Sequence, residues 1–587
     1  MCGIYLTNMP YKLEEVKEKL EKIKHRGPDY TGIIQHDTLI LGHLRLAILD
    51  LDARSNQPYQ YKNLAIVFNG EIYNFKELRD ELEIQGYNFD TASDTEVLIK
   101  GYDFWGEKVL EKLNGMFSFA ISNSKNNEIF CARDRLGVKP FYYYWKDGQF
   151  EICSQLQPLR NKNSKISTEA VSIYLSTGYV PSPFSIYEDI YKLQPGCILN
   201  IDLNKKTKSI KRYWDLEKVE TLDISYAEAK ERVKELLKDA VRIRMQSDVP
   251  LGTFLSGGID SALVTALAAE ISNEKIKTFT IGFDDPKHDE SKVAEKFAKI
   301  IGTEHITTMC KVEDVLDLIP KLIKVYDEPF ADSSALPSLL LNKGAKQHAT
   351  VVLSGDGGDE SFIGYKYFHS IGTFEKIQKI PFALRKFIAK FLQNSNKFKS
   401  ILLCENNTFF IERIFVNEAI HSRNWFEENY FEYLQLSNNS IQKAADLNIK
   451  LWLENDSNVK VDRASMAYSV EVRSPFLDYR IIQLTRTLPM EYKFTDGRTK
   501  RILRDILSDY IPEDIFNQPK SGFSIPLKKW IKNELKSEIE ENIQIEYFKS
   551  IKDFPQFYSN LNVENITLKW RLYILSKWLN LNCTNYD

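Results

Sequence analysis

Residues Leu255–Ser261 read LSGGIDS. They follow Val249–Phe254 (VPLGTF), a run with the character of a buried strand, and precede Ala262–Ala269 (ALVTALAA), an apolar helix. A strand that feeds a glycine pair and then a helix gathers backbone N–H groups and a positive helix end at one place, which makes an anion site. Gly257 and Gly258 have no Cβ, so this reading expects close backbone approach to an anion and positive φ at the pair. Ser256 and Ser261 add hydroxyl donors. A carboxylate beside bound phosphate needs an intervening cation, so Asp260 is a candidate Mg²⁺ ligand. The Walker A spacing is absent. A tight turn before a capped helix is the plainer alternative.

The flanking sequence favours the anion site. Strands are expected at Lys277–Phe283, Thr303–Met309 and Ala349–Leu353, alternating with helices near 227–244, 289–302 and 312–325. That alternation predicts a doubly wound parallel α/β sheet. Ligands in such sheets sit beyond the carboxyl ends of strands. The expected ends are Leu255, Phe283 and Ser354, and the last opens a second glycine-rich acidic loop, Ser354–Glu360 (SGDGGDE). Beyond about Tyr365 the chain reads as helical, and residues 376–450 are rich in Lys and Phe.

The N-terminal part reads differently. Strands are expected at Cys2–Thr7, Gly42–Asp50, Leu64–Phe68, Met116–Ile121, Glu128–Ala132 and Phe141–Trp145. Helices are expected over Lys12–Lys24 and Phe75–Gln85. Ser93–Glu96 (SDTE) matches a capping box. The β-rich character runs to about Asp202, and the boundary falls near 215, giving domains 2–215 and 216–587. Cys2 is small enough for Met1 to be removed, and a terminal cysteine carries its own base in the free α-amine. Asn69 and Gly70 can stabilise an oxyanion, although an Asn-Gly pair alone is a hairpin signal.

Bulk properties bound the function. At 587 residues the chain exceeds one core. A net charge of −3, from 78 basic and 81 acidic residues, gives no case for nucleic acid or a membrane surface. Seven cysteines without CxxC spacing fit a reducing compartment, and no secretory signal is visible. A cytoplasmic enzyme is expected.

MCGI, HRGPD, GHLRLAILD, VFNGEIYN and SDTEV resemble the class II glutamine amidotransferase domain. LSGGIDS resembles the pyrophosphate loop of N-type ATP pyrophosphatases. Together with DEPFADSSALP, LSGDGGDE, VEVRSPFLD, GRTKRILR and QPKSGFSIPL, it resembles the synthetase domain of the glutamine-hydrolysing asparagine synthetase family. The resemblance implies an N-terminal nucleophile hydrolase αββα sandwich followed by the parallel α/β domain with its helical C-terminal part. It implies Cys2 as nucleophile, with Arg45 on the glutamine carboxylate and Asp94 on its ammonium. Asn69 and Gly70 become the oxyanion hole, with Glu71 beside them. It implies that Leu255, Ile281, Ser354 and Gly355 hold adenosine and that Ser256–Ser261, including Gly257 and Gly258, hold pyrophosphate. Asp260 and Asp359 would hold Mg²⁺. Asp356 is linked to acyl-adenylate formation and to attack by ammonia, and Lys500 to charge neutralisation. ATP is then a substrate, aspartate the acid, a homodimer the assembly, and an internal ammonia passage joins the sites. Relatives of the family amidate sugar acids of surface polysaccharides or peptide and antibiotic precursors, so another carboxylate is the alternative.

Overall fold

A computed structural model describes the chain at all positions except 162, 285–288, 393–396, 417–423, 496, 518–525, 544–564 and 584–587. Most of the QPKSGFSIPL motif therefore lies outside the described residues.

The N-terminal unit contains twelve strands: β1 (Gly3–Thr7), β2 (Tyr30–His36), β3 (Leu39–Arg45), β4 (Tyr59–Tyr61), β5 (Leu64–Ile72), β6 (Gly115–Asn123), β7 (Glu128–Arg133), β8 (Tyr142–Lys146), β9 (Gln149–Cys153), β10 (Ile190–Lys192), β11 (Cys197–Asp202) and β12 (Thr207–Arg212). They form two antiparallel sheets, ordered β10-β8-β9-β1-β3-β2 and β12-β11-β7-β6-β5-β4. Residue alternation decides what each face meets. Ile4 and Leu6 of one sheet meet Ala65, Val67 and Ala120 of the other in a shared core. Tyr5 points the opposite way, toward Val16 and Leu20 of the helix Leu13–Glu21. Ile66 and Phe68 face the helices Phe75–Ile84 and Asp94–Trp105. The result is the expected αββα sandwich.

Several local readings change. β3 stops at Arg45, not Asp50, and the first helix is shorter than Lys12–Lys24. β5 runs through Asn69-Gly70, so the pair is no turn: it lies opposite Ser118 and Phe117 of β6. A Cβ on Gly70 would sit 2.1 Å from the Met116 carbonyl oxygen, so strand approach is what requires glycine there. Half of the capping box forms. Ser93 Oγ accepts from the Glu96 N–H at 3.4 Å, but the Glu96 carboxylate serves Asp90, Thr91 and Lys100. A buried helix, Thr168–Thr177, also interrupts the β-rich stretch.

The second unit is built on β13 (Leu251–Phe254), β14 (Lys277–Phe283), β15 (Glu304–Cys310), β16 (Val351–Leu353) and β17 (Glu471–Arg473). All pairs are parallel, in the order β15-β14-β13-β16-β17. Helices Tyr226–Arg244 and Ile259–Ile271 pack together through Val233, Leu237, Leu263 and Leu267. The opposite side buries Phe279, Val352 and Val472 against Ala345 of the helix Ala335–Ala345. The sheet is therefore doubly wound as expected. The helix foreseen over 312–325 is two, Val312–Leu316 and Ile319–Val325, with Pro320 in the first turn of the second, where a missing N–H costs little.

Residues 354–470 lie between the adjacent strands β16 and β17, and the described ones among them are largely helical. The two units share one core, which runs from Tyr5 and Val16 to Phe330, Trp425 and Trp578. Among the described residues no helix is long and apolar enough to cross a membrane. The six cysteines whose side chains are described are free and buried.

Candidate active sites

The first site lies where the two sheets of the sandwich face one another at their ends. Asn69 has the parity of Ala65 and Val67, so its side chain points between the sheets, toward the start of β1. Its Oδ1 accepts from the Cys2 backbone N–H at 2.9 Å, and its Nδ2 is 3.5 Å from Ser118 Oγ. Along β5, the Phe68 N–H donates to Gln57 Oε1 at 2.7 Å and the Ile72 N–H to Asp94 Oδ2 at 2.9 Å, both away from β6. By strand alternation the Gly70 N–H between them faces the same open edge. Asn69 and Gly70 are thus brought together with Cys2 by β pairing.

Cys2 is buried, and burial pushes its thiol up, against the pull of the nearby terminal ammonium and of the Leu46 N–H that faces the sulfur. Arg45 adds positive potential at this sulfur. Its guanidinium donates to the carbonyls of Leu49, Asp50 and Asp52 and to Asn56 Oδ1 at 2.8 Å, which fix its plane. Burial raises Asp94 to about 6, opposed by its bond from Ile72, and raises Glu71 well above its ordinary range.

The seam between the units contains residues with no assigned role in the sequence reading. Glu471 Oε2 binds the Met1 ammonium at 2.7 Å, and its Oε1 accepts from Arg473 Nε at 2.6 Å. Burial works to raise Glu471, but the ammonium and Arg473 hold it down to about 2. Arg473 also ion-pairs with Glu71 at 3.2 Å, out of line for a hydrogen bond. Arg26, fully buried, donates to the Cys2 carbonyl at 3.0 Å and forms a two-pronged pair with Asp462 at 2.8 and 2.9 Å. An apolar cluster of Met1, Met116, Val351 and Met466 lies at the same seam.

The second site forms at the carboxyl ends of β13 and β16. Ser256 Oγ and Ser261 Oγ are 2.9 Å apart, and the Gly258 N–H donates to Ser256 Oγ at 3.1 Å. The helix begins at Ile259, with Asp260 in its first turn. Neither Gly257 nor Gly258 has the expected positive φ. Gly258 is extended at φ −90°, because it is the residue before the helix, and its close approach needs no left-handed turn. Leu255 and Ile281 are buried behind the loop. A Cβ on Gly355 would lie 2.7 Å from the Ser261 nitrogen, and one on Gly358 2.6 Å from Asp260 Oδ1, so the two glycine-rich loops touch. Ser354 Oγ is buried with no hydrogen-bond partner among the described residues.

Lys500 joins the loops. Its ammonium sits between Asp260 and Asp359, 2.5 Å from Asp359 Oδ1. Two carboxylates already spanned by one cation, beside an unpartnered buried hydroxyl and a glycine cradle, fit a magnesium nucleotide, which Mg²⁺ reaches through one or two carboxylates plus phosphate oxygens. No cluster of three or more metal-ligating side chains exists among the described residues. Asp356 lies half-buried on the same loop, its carbonyl held by Ser474 Oγ. A further cluster unforeseen in sequence adjoins: Asp332, held down to about 2 against its burial by Lys460 at 3.0 Å, beside Asp456, which burial raises.

Family models agree with this two-site architecture. A glutamine amidotransferase domain model matches residues 1–214 and an asparagine synthase model residues 232–559. Glutamine-hydrolysing asparagine synthetase 1 of Bacillus subtilis (strain 168) is 33% identical over 93% of this chain and 90% of its own. A putative asparagine synthetase 2 of Methanocaldococcus jannaschii is 40% identical over 66% of this chain and 79% of its own. The amidase ChyE of Penicillium rubens is 26% identical over 92% of this chain and 88% of its own. With a nucleophile-hydrolase sandwich and a parallel-sheet synthetase unit in one chain, the protein belongs to the asparagine synthase family and is a glutamine-dependent ligase.

Proposed function

We propose that the chain converts L-aspartate, ATP and L-glutamine to L-asparagine, AMP, pyrophosphate and L-glutamate in the cytoplasm. The observation that carries this reading is the meeting of the two sites at β17. The Glu471 and Arg473 side chains face the Cys2 site, while the Arg473 carbonyl accepts the Ser354 N–H of the nucleotide loop at 2.9 Å.

In the glutaminase half, Met1 removal makes the Cys2 amine the base. It takes the thiol proton, and sulfur attacks the glutamine side-chain carbonyl. The Gly70 N–H and the Asn69 amide, which gives up its long contact to Ser118, receive the oxyanion. Collapse of the intermediate returns the proton to the leaving nitrogen as ammonia, and water then cleaves the thioester. Arg45 and Asp94 hold the amino-acid end of glutamine, with Glu71 beside them. In the synthetase half, Leu255, Ile281, Ser354 and Gly355 cradle adenosine and Ser256–Ser261 the pyrophosphate. Asp260 and Asp359 would hold Mg²⁺, which screens phosphate charge. The acid's carboxylate attacks the α-phosphorus with loss of pyrophosphate. Ammonia then adds to the acyl carbon, aided by Asp356; the added nitrogen loses one proton to solvent and AMP departs, with Lys500 offsetting the charge. An apolar route past Met116, Val351 and Met466 keeps ammonia unprotonated, since water in the path would convert it to ammonium.

Pyrophosphate release with glutamine and a panel of carboxylic acids tests the substrate. Release dependent on aspartate supports the reading. Release only with a sugar acid or peptide acid moves the chain to the second reading, and the amidase among its relatives makes that panel worth running. Cys2→Ala should abolish glutamine-driven synthesis and spare synthesis from ammonium salts. Retained glutaminase activity in that variant removes Cys2 as nucleophile.

A further inference from the structure

The helix Phe382–Ala389 lies in the helical region between β16 and β17, remote in sequence from every residue assigned above. It buries only Arg385 and Ala389 of its eight residues. Arg385 is spent on backbone carbonyls, including that of Cys404 at 2.7 Å, and so fastens the helix to the body. What remains faces outward. Leu384, Phe387, Ile388 and Phe391 follow the spacing i, i+3, i+4, i+7, which places them on one stripe. They are 50%, 56%, 38% and 75% exposed. Phe387 and Phe391 stack edge-to-face at 5.1 Å and present one aromatic knob. Apolar residues this exposed are normal singly, but a contiguous group marks a contact surface.

Along residues 376–392 the charge has one sign, and the exposed Glu405 adjoins the helix where its carbonyl accepts from Arg385 at 3.4 Å. Residues 376–392 contain Lys376, Lys379, Arg385, Lys386 and Lys390 and no acidic residue. The nearest acids in sequence are Glu375 and Glu405. Lys376, Lys379, Lys386 and Lys390 are all exposed. The net charge of −3 for the whole chain conceals this local excess, which is why composition alone argued against a membrane surface.

We propose that this face docks on a membrane surface rich in anionic phospholipid, with Leu384, Phe387, Ile388 and Phe391 entering the headgroup boundary and the lysines meeting the lipid charge. A short helix with Phe and Leu on one side and Lys on the other is suited to lie in that interface. A second copy is disfavoured, because a two-fold contact would set the same lysines against each other. A protein partner is disfavoured by size: eight residues present far less than the roughly 800 Å² per side of a stable interface. A lipid surface needs neither a groove nor a fixed area, and each lysine near it contributes about 1 kcal/mol, or about fivefold in binding.

The test is co-sedimentation of the full chain with vesicles of phosphatidylcholine alone and of phosphatidylcholine mixed with phosphatidylglycerol. The expected result is binding to the mixed vesicles that weakens with added salt, and little binding to the neutral ones. The double variant Lys386→Gln/Lys390→Gln should bind about 25-fold more weakly, and Phe387→Ser/Phe391→Ser should lose binding with its charge unchanged. Both should keep the parent's melting temperature and glutaminase rate, since every altered residue is exposed and outside the two sites. Absence of binding to mixed vesicles overturns the proposal, as do variants that bind like the parent. A concentration-dependent dimer that the Phe variant abolishes would assign the face to a second copy. Salt-sensitive retention of an acidic protein, with no vesicle binding, would assign it to a protein partner.

Discussion

Replacing Asp94 by Asn should make the protein more stable and its glutaminase nearly inactive. The carboxyl group is buried, and burial lifts it from 3.8 to about 6 against the bond it accepts from the Ile72 N–H. At about 1.36 kcal/mol per tenfold change, that rise corresponds to roughly 3 kcal/mol. The folded state holds the proton more tightly than the unfolded one. Stability from this group is therefore fully present below pH about 4, falls as pH rises toward 6, and is absent above. At pH 7.5 the wild-type chain carries a buried negative charge at that cost, and the neutral Asn amide relieves up to about 3 kcal/mol while its oxygen still accepts from Ile72. In the proposed function glutamine pairs its ammonium with this charge, and removing one partner of such a pair costs about 2–5 kcal/mol, so kcat/KM for glutamine should fall about 30-fold to several-thousand-fold. Parent kcat/KM for glutamine should decline below pH about 6 as Asp94 takes up a proton, while synthesis from ammonia should not share that limb. Glutamate release and thermal unfolding from pH 5 to 8 measure both arms. A variant that is no more stable, a profile without a limb near 6, or equal loss of ammonia-driven synthesis would refute the reasoning.

Lys500→Met leaves Asp260 and Asp359 facing each other without their cation; stability should fall by about 3–5 kcal/mol, read by denaturant unfolding, and added Mn²⁺ should restore part of it where it does nothing for the parent. Gly70→Ala drives a Cβ to 2.1 Å from the Met116 carbonyl, so β5 and β6 must part and soluble yield and glutaminase should fall together; normal activity would show that the approach is not tight. Arg26→Met removes one of the two guanidinium partners of Asp462, whose Oδ2 still accepts from Arg463 Nη1 at 2.9 Å, and should destabilise by about 1–3 kcal/mol in the same unfolding assay; parent-like stability would mean that the pair contributes nothing.

Both layers of the fold were legible from local pattern. β1 and β6 read as short apolar runs, buried on both faces, and the strand–helix alternation from Lys277 onward follows from which face a residue buries. Asn69-Gly70 was ambiguous because its chemistry matches a hairpin turn; only pairing with Ser118 and Phe117 shows the strand running through it. The Thr168–Thr177 helix was missed because seven of its ten residues are buried, Ser176 and Thr177 among them, so no clean polar face marks its period. The Glu471–Met1 and Arg26–Asp462 pairs join residues 470 and 436 positions apart, and no local period records such a contact. The positive φ expected at Gly257-Gly258 failed because an extended residue before a helix already exposes its N–H groups.

β16 and β17 are hydrogen-bonded neighbours, yet residues 354–470 separate them along the chain. A parallel crossover can be closed by a single helix, so nearly all of this stretch is an excursion that leaves from and returns to one seam. Selection can lengthen, shorten or reshape such an excursion without altering the strand pairing that positions Ser354 and Glu471. The catalytic frame and the surface proposed to dock on membranes can then evolve at separate rates. Sequence divergence within 366–450 is therefore where a change of working location should first be sought, while the frame around LSGGIDS stays as it is.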